Sequence, residues 1–164
     1  MDVAVHGATD SGTAGVIARP PLMFLIALVV GFVADHLLPL SFAVPRAGIV
    51  HQLSAGLLIL AGLAIAVAGI RNFARAGTPV RTFERTRALV TTGIHGRSRN
   101  PIYLGMFLCY IGIGLAVHSE WTILLMLLLA ALIRQGVVAR EEAYLERRFG
   151  SAYRDYRARV RRWV

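Results

Sequence analysis

Gly93-Ile94-His95-Gly96-Arg97-Ser98-Arg99-Asn100-Pro101-Ile102-Tyr103-Leu104-Gly105 joins a basic loop to an apolar run, and its reading decides the fold. Pro101 suits the first turn of a helix, where its missing N–H leaves nothing unpaired. Asn100 stands before it as a candidate N-cap. The start of such a helix offers free N–H groups and the positive end of the helix dipole. With two arginines beside it, this is a ready anion site at a membrane edge. The same residues also fit a plain capped membrane helix whose arginines reach out to headgroups. The stretch alone does not separate the two readings.

Outward from it, the composition is that of a membrane protein. The chain has 164 residues, enough for one domain, and is 56% hydrophobic with only 16% charged residues; its mean hydropathy is +0.60. Soluble domains carry about 25% charged residues. The net charge is +9, with every basic residue an arginine. Beside such long apolar runs, this points to a membrane surface and not to nucleic acid. Cys109 lies alone in an apolar run, so no intramolecular disulfide forms, and no Cys/His cluster has metal-ligand spacing.

The hydropathy pattern predicts an all-α polytopic membrane protein with four transmembrane helices and cytoplasmic C-terminal helices. Residues 1–19 read as a flexible tail. The first two spans fall within 20–70. Pro20-Pro21 opens the first, which ends near Asp35, His36 and Pro39. Asp35 is read as an interfacial, solvated acid, with an intramembrane functional acid as the other possibility. The second span, 49–70, carries Ser54, Ala55, Gly56, Ala61, Gly62, Ala64, Ala66, Ala68 and Gly69, small residues that let helices approach closely. The remainder, 71–164, is read as the catalytic region. It opens with a loop of seven arginines against Glu84, turned at Gly77-Thr78-Pro79, in which 89–93 is a candidate extended piece. A transmembrane hairpin, 101–139, follows, turned at His118-Ser119-Glu120 and anchored by Trp121. Four crossings put the basic loop and basic tail on one side, the cytoplasm, with both termini.

The tail holds the second informative group. Glu141 and Glu142 stand about 100° apart on a helix, so one can face a pocket while the other pairs with an arginine. Gly150 fits a C-cap, and Ser151 a cap for a helix presenting Tyr153, Tyr156 and Val160 on one side. Acids one turn beyond a membrane helix also make plain surface salt bridges.

Taken together, Leu89-Val90-Thr91-Thr92-Gly93, Arg99-Asn100-Pro101-Ile102-Tyr103-Leu104-Gly105, an apolar hairpin, Glu141-Glu142-x-x-Leu145, Phe149-Gly150, Tyr153 and Tyr156 resemble one family. It is the superfamily of isoprenylcysteine carboxyl methyltransferases and phospholipid methyltransferases, integral membrane enzymes that use S-adenosylmethionine. The resemblance spans 89–163. It implies a cytoplasmic cofactor pocket formed by Gly93, Ile94, His95, Arg99, Asn100, Pro101, Tyr103, Leu104, Glu141 and Glu142, with Arg99, Glu142 and Tyr103 as catalytic residues, Phe149 and Tyr153 matching the second motif, and no metal. It further implies direct methyl transfer to a lipophilic acceptor, isoprenylcysteine-like or phospholipid-like, in the bacterial inner membrane. A helix start with Arg suits the cofactor's carboxylate, and a Glu its ammonium or ribose hydroxyls. His95, Tyr103 and the Glu pair are the base candidates for an amine or hydroxyl acceptor.

The sequence departs from the pattern at Asn100, often His, at Ile94-His95, often Pro-Tyr, and near Val137-Val138, where many members carry an Arg; Arg134 and Arg140 are the nearest here. Two other readings are an NADPH-dependent membrane reductase of the sterol reductase type and a non-enzymatic four-helix transporter or structural subunit, with Asp35 as the transporter's coupling acid.

Overall fold

The computed structural model describes residues 14–40, 48–80 and 86–164. Among these the chain is helical, without strands. Helix α1 (Pro20–Leu37) is followed by α2 (Gly48–Arg75), a 3-10 turn (Gly93–Gly96), α3 (Pro101–Ala116), α4 (Glu120–Leu132), a π-helical turn (Ile133–Val138), α5 (Ala139–Phe149) and α6 (Ser151–Arg159). From α4 to α5 the helix is continuous, running Glu120–Phe149 over 30 residues. The loop residues Pro45 and Arg46, and Arg81, Glu84 and Arg85, lie outside the described residues, as does 1–13 of the expected flexible tail.

Three helices are long and apolar enough to cross a membrane: Pro20–Leu37, Gly48–Arg75 and Glu120–Phe149. Four were expected. The difference is α3, whose 16 residues reach about 24 Å against a hydrocarbon core of about 30 Å. It stops where His118 turns at φ 57°. Helix α2 is long instead. Its 28 residues span about 42 Å, so its last turn carries Asn72, Phe73 and Arg75 beyond a bilayer core.

Small residues set the contact between α2 and α3. A Cβ on Gly62 would sit 2.6 Å from Gly105 O, and one on Gly112 would sit 2.9 Å from Ala55 O. Backbone therefore lies against backbone, the packing that small residues allow in lipid. Cys109 Sγ donates to Ile59 O at 3.6 Å in the same seam. The opposite faces are apolar and open: Leu57 and Leu60 on α2, Leu25 and Val29 on α1, Leu127 and Leu128 on α4. A helix apolar all round is what a lipid solvent selects.

At the end of the bundle away from the acid pair, Asp35 is a joint between helices and not merely a solvated acid. It accepts hydrogen bonds from Ser119 Oγ and, at 3.2 Å, from Trp121 N. Its carboxylate thus sits at the N-terminus of α4, which the helix dipole favours. Ser119 is the N-cap, accepting from Thr122 N at 3.1 Å. Trp121 Nε1 donates to Leu38 O at 2.7 Å. The expected tight turn between antiparallel α3 and α4 is present, and α1 is tied to it.

Residues 14–19, expected as part of the tail, are packed. Ala14 and Val16 are buried in the main core cluster. Ile17 N donates to Gly136 O at 3.3 Å, in the π turn, and Arg140 donates to Gly15 O at 2.8 Å. A π turn displaces backbone carbonyls from the regular helical ladder, and this one is shared with the incoming N-terminal segment.

Candidate functional site

The overhang of α2 builds one wall. Asn72 Nδ2 donates to Thr92 O at 2.8 Å, and the Phe73 ring meets the His95 ring edge-on at 4.8 Å. Gly93 has φ 60°, and a Cβ there would lie 2.5 Å from Asn72 Nδ2. Only glycine suits that backbone and that contact. The 3-10 turn that follows buries His95, 3% exposed, and no strand forms at 89–92. Burial pushes the His95 imidazole down to about 4, because charging it would remove an ion from water.

Pro101 opens α3 as expected, with Asn100 at the N-cap position but without a side-chain cap. Asn100 Nδ2 instead donates to Arg162 O at 3.0 Å. Ser98 Oγ donates to the same carbonyl at 3.4 Å, and Arg99 N donates to Arg161 O at 3.0 Å. The C-terminal segment after α6 thus lies along 98–100 and takes the groups that would have capped the helix. Its Trp163 packs edge-on against Phe107 at 6.0 Å.

The two acids have different partners, although both face the same space. Glu142 receives two arginines: Arg99 at 3.1 Å on Oε1, and Arg162 on both oxygens, Nε to Oε1 at 2.9 Å and an NH2 to Oε2 at 2.6 Å. The side chains of Arg99 and Glu142 are 10% and 12% exposed. Glu141 Oε1 accepts from Tyr103 OH at 2.8 Å. Arg99 also donates to Tyr153 OH at 3.2 Å, while its Nε is buried without a partner. Glu142 raises the Arg162 guanidinium by hydrogen bonding and charge.

These groups surround a cavity of about 870 Å³. His95, Arg99, Asn100, Pro101, Tyr103, Glu141 and Glu142 line it. Gly93 lies on a neighbouring 390 Å³ hollow beside Asn72 and Arg75. Ile94 and Leu104 are not among the lining residues of either; Leu104 N makes the first bond of α3, to Asn100 O at 3.0 Å. Arg134 and Arg140, weighed as pocket arginines, are both exposed, and Val137 and Val138 beside them are fully buried in the core. The arginine that meets the acid pair beside Arg99 is Arg162.

Helix α6 closes the site from outside. Gly150, φ 55°, ends α5 and is also the N-cap of α6, a place expected for Ser151, whose side chain does not cap. Tyr153, Tyr156 and Val160 are buried together, as the spacing predicts, and Tyr156 OH donates to His95 O at 2.6 Å. Phe149 packs on this cluster. The far wall was not foreseen. It comes from Ala14, Arg19, Pro20, Pro21, Leu22 and Leu25, and from the loop after α2. That loop is held by Thr78 Oγ1, which accepts from Arg87 N at 2.9 Å, and by Tyr144 OH, which accepts from Thr86 N at 3.2 Å. Arg162 gave no local signal among so many tail arginines. Pro20-Pro21 was visible as a helix start but not as a cavity wall.

The profile of the phospholipid methyltransferase family matches residues 50–152. The match agrees with the resemblance carried by the two motifs, and it extends further back, taking in α2. A protein of Haemophilus influenzae described as uncharacterized is 36% identical over 63 residues, which are 38% of this chain and the whole of that relative. No solved structure matches the chain.

Proposed function

Because the chain belongs to the phospholipid methyltransferase family, we propose that this integral membrane methyltransferase takes its methyl group from S-adenosylmethionine and passes it to a lipophilic acceptor. The observation that carries the cofactor reading is Arg99: its side chain lines the cavity, and its Nη1 is held by Glu142 and Tyr153. A guanidinium carries five N–H donors in a fork, so those beyond Nη1 suit a ligand carboxylate. Glu141 lines the same cavity and, among the described residues, receives none of the acid pair's ion pairs. It suits the cofactor's ammonium or ribose hydroxyls.

When bound, S-adenosylmethionine supplies an electrophilic methyl group on a sulfonium. The chain's own residues bind and orient. Arg99 fixes an anionic group at the start of α3, and Tyr103 holds Glu141 in one rotamer. For an amine or hydroxyl acceptor, Glu141 is placed to take the proton; a carboxylate acceptor needs none. In this reading Glu142, assigned to catalysis on the resemblance, keeps Arg99 in place. His95, neutral at pH 7, spends its backbone carbonyl on Tyr156 and its ring on Phe73.

A lipophilic acceptor is supported by the far wall. Pro21, Leu22, Leu25, Pro79, Val80 and Met106 are apolar, and Leu22 and Leu25 are also open to the outer face of α1. The arginine-rich end of the bundle is assigned to the cytoplasm on the positive-inside rule.

Calorimetric titration of the detergent-purified chain with S-adenosylmethionine, S-adenosylhomocysteine and NADPH tests this. Saturable binding of the first two alone is expected. Binding of NADPH alone would move the protein to the reductases, and binding of none in a folded sample would remove the cofactor reading.

A further inference from the structure

The most heavily paired group of the site is Glu142, and its strongest partner does not line the cavity. Arg162 grips both carboxylate oxygens in a fork, the geometry that makes Arg–carboxylate pairs directional. Its own backbone is fastened separately: Arg162 O accepts from Asn100 Nδ2 and Ser98 Oγ, and Arg161 O accepts from Arg99 N. Trp163 adds an apolar anchor on Phe107. The segment after α6 is therefore fixed at its main chain, and its guanidinium holds Glu142 at a set place. Glu142 in turn presents Oε1 to Arg99 at 3.1 Å. The path Arg162–Glu142–Arg99 ends at a side chain that lines the cavity.

We infer that Arg162 is a positioning residue for ligand binding, acting through Glu142 to hold Arg99 ready for an anionic group. The inference rests on the cofactor reading above for the identity of that ligand, and not for the linkage itself. A lysine at 162 would keep the charge but not the two-pronged grip. Without the fork, Glu142 has one cation instead of two and is free to rotate, and Arg99 follows it. Removing the guanidinium leaves the tail's backbone bonds intact, so the change falls on side-chain placement.

The test is a double-mutant cycle on the full chain: wild type, Glu142→Gln, Arg162→Ala and the pair, each titrated with S-adenosylhomocysteine and each melted thermally. Arg162→Ala is expected to weaken binding about tenfold or more, with a smaller drop in melting temperature than Glu142→Ala, because Glu142 keeps Arg99. The double variant should bind no more weakly than Glu142→Gln alone, since the two act in series. Arg162→Lys should recover only part of the loss. Unchanged affinity in Arg162→Ala, or additive losses in the double variant, overturns the inference. If Arg162→Ala does not fold, Arg162→Gln takes its place in the cycle. Hydrogen exchange of the buried Arg99 Nε–H, followed by nuclear magnetic resonance, reads the side-chain linkage without ligand. It should quicken in both single variants and no further in the double. Wild-type rates in Arg162→Ala would sink the inference even where wild type binds no S-adenosylhomocysteine. Failure of wild type to bind counts against the cofactor reading alone.

Discussion

Tyr103 donates its hydroxyl to Glu141 Oε1 at 2.8 Å, joining residues 38 positions apart on two different helices. Both groups line the cavity. Glu141 thus has a neutral partner, whereas the adjacent Glu142 has two arginines. Neighbouring acids of one helix have been given different surroundings, and the proposed roles follow from that difference.

Glu141→Gln keeps the shape and the tyrosine bond but removes the negative charge. Methyl transfer to an amine or hydroxyl acceptor should fall by roughly 10² or more if Glu141 takes the proton. Tyr103→Phe leaves the carboxylate short of a buried donor and should cost about 1–3 kcal/mol of stability. Turnover with a radiolabelled methyl donor, beside thermal melts, checks both. Full activity in Glu141→Gln would mean that the carboxylate takes no part in the transfer.

Glu142→Ala strips the shared anion from Arg99 and Arg162 and leaves two cations side by side. Breaking such a largely buried pair costs about 3 kcal/mol or more, so this variant should melt lower as well as bind the cofactor weakly. Arg99→Ala should lose cofactor binding with a smaller drop in melting temperature, because Glu142 keeps Arg162. Comparing melting temperatures of the two variants is enough; equal drops would show that Arg162 contributes nothing to the pairing.

His95 makes stability pH-dependent. Its folded value, about 4, lies below the ordinary 6.5, so below pH 6.5 the unfolded chain binds the proton more readily. The stabilising contribution is complete above pH 6.5. It declines as pH falls and is exhausted near pH 4, for a total loss of about 3 kcal/mol. His95→Gln should flatten the melting-temperature profile between pH 6.5 and 4. An unchanged slope would assign the acid sensitivity to other groups.

Asp35→Ala removes the carboxylate at the start of α4 and frees Trp121 N. A loss of about 1 kcal/mol is expected, with no change in S-adenosylhomocysteine affinity, because the site is at the other end of the helices. A calorimetric titration of the variant gives the answer. Weakened binding would tie the two ends of the bundle together.

Much of this was legible along the chain. The Pro20-Pro21 and Asn100-Pro101 helix starts, the apolar runs and the turn at His118-Ser119 act through near neighbours, and a local pattern records them. The 100° between Glu141 and Glu142 was readable too, but not that both would line one cavity with different partners. Two motifs of the right order pointed to the methyltransferase family without any structure. The small residues of α2 were readable as a packing face, though not which of them would meet Gly105.

Tertiary structure decided what depends on chain reversal. Arg162 is one of many arginines in a polar tail, and charge without periodicity does not say which one turns inward. The turn at Gly150 and the exit from α6 bring it back 20 residues to Glu142, and Asn100 then caps the tail in place of its own helix. Asp35 looked solvated because its partners, Ser119 and Trp121, lie more than 80 residues away. The packing of 14–19 on the π turn was hidden for the same reason. The hydrophobic pattern of the sequence determines where helices form and that they lie in lipid; the partner of each buried polar group is determined by which segments the folded chain brings within about 3 Å of one another.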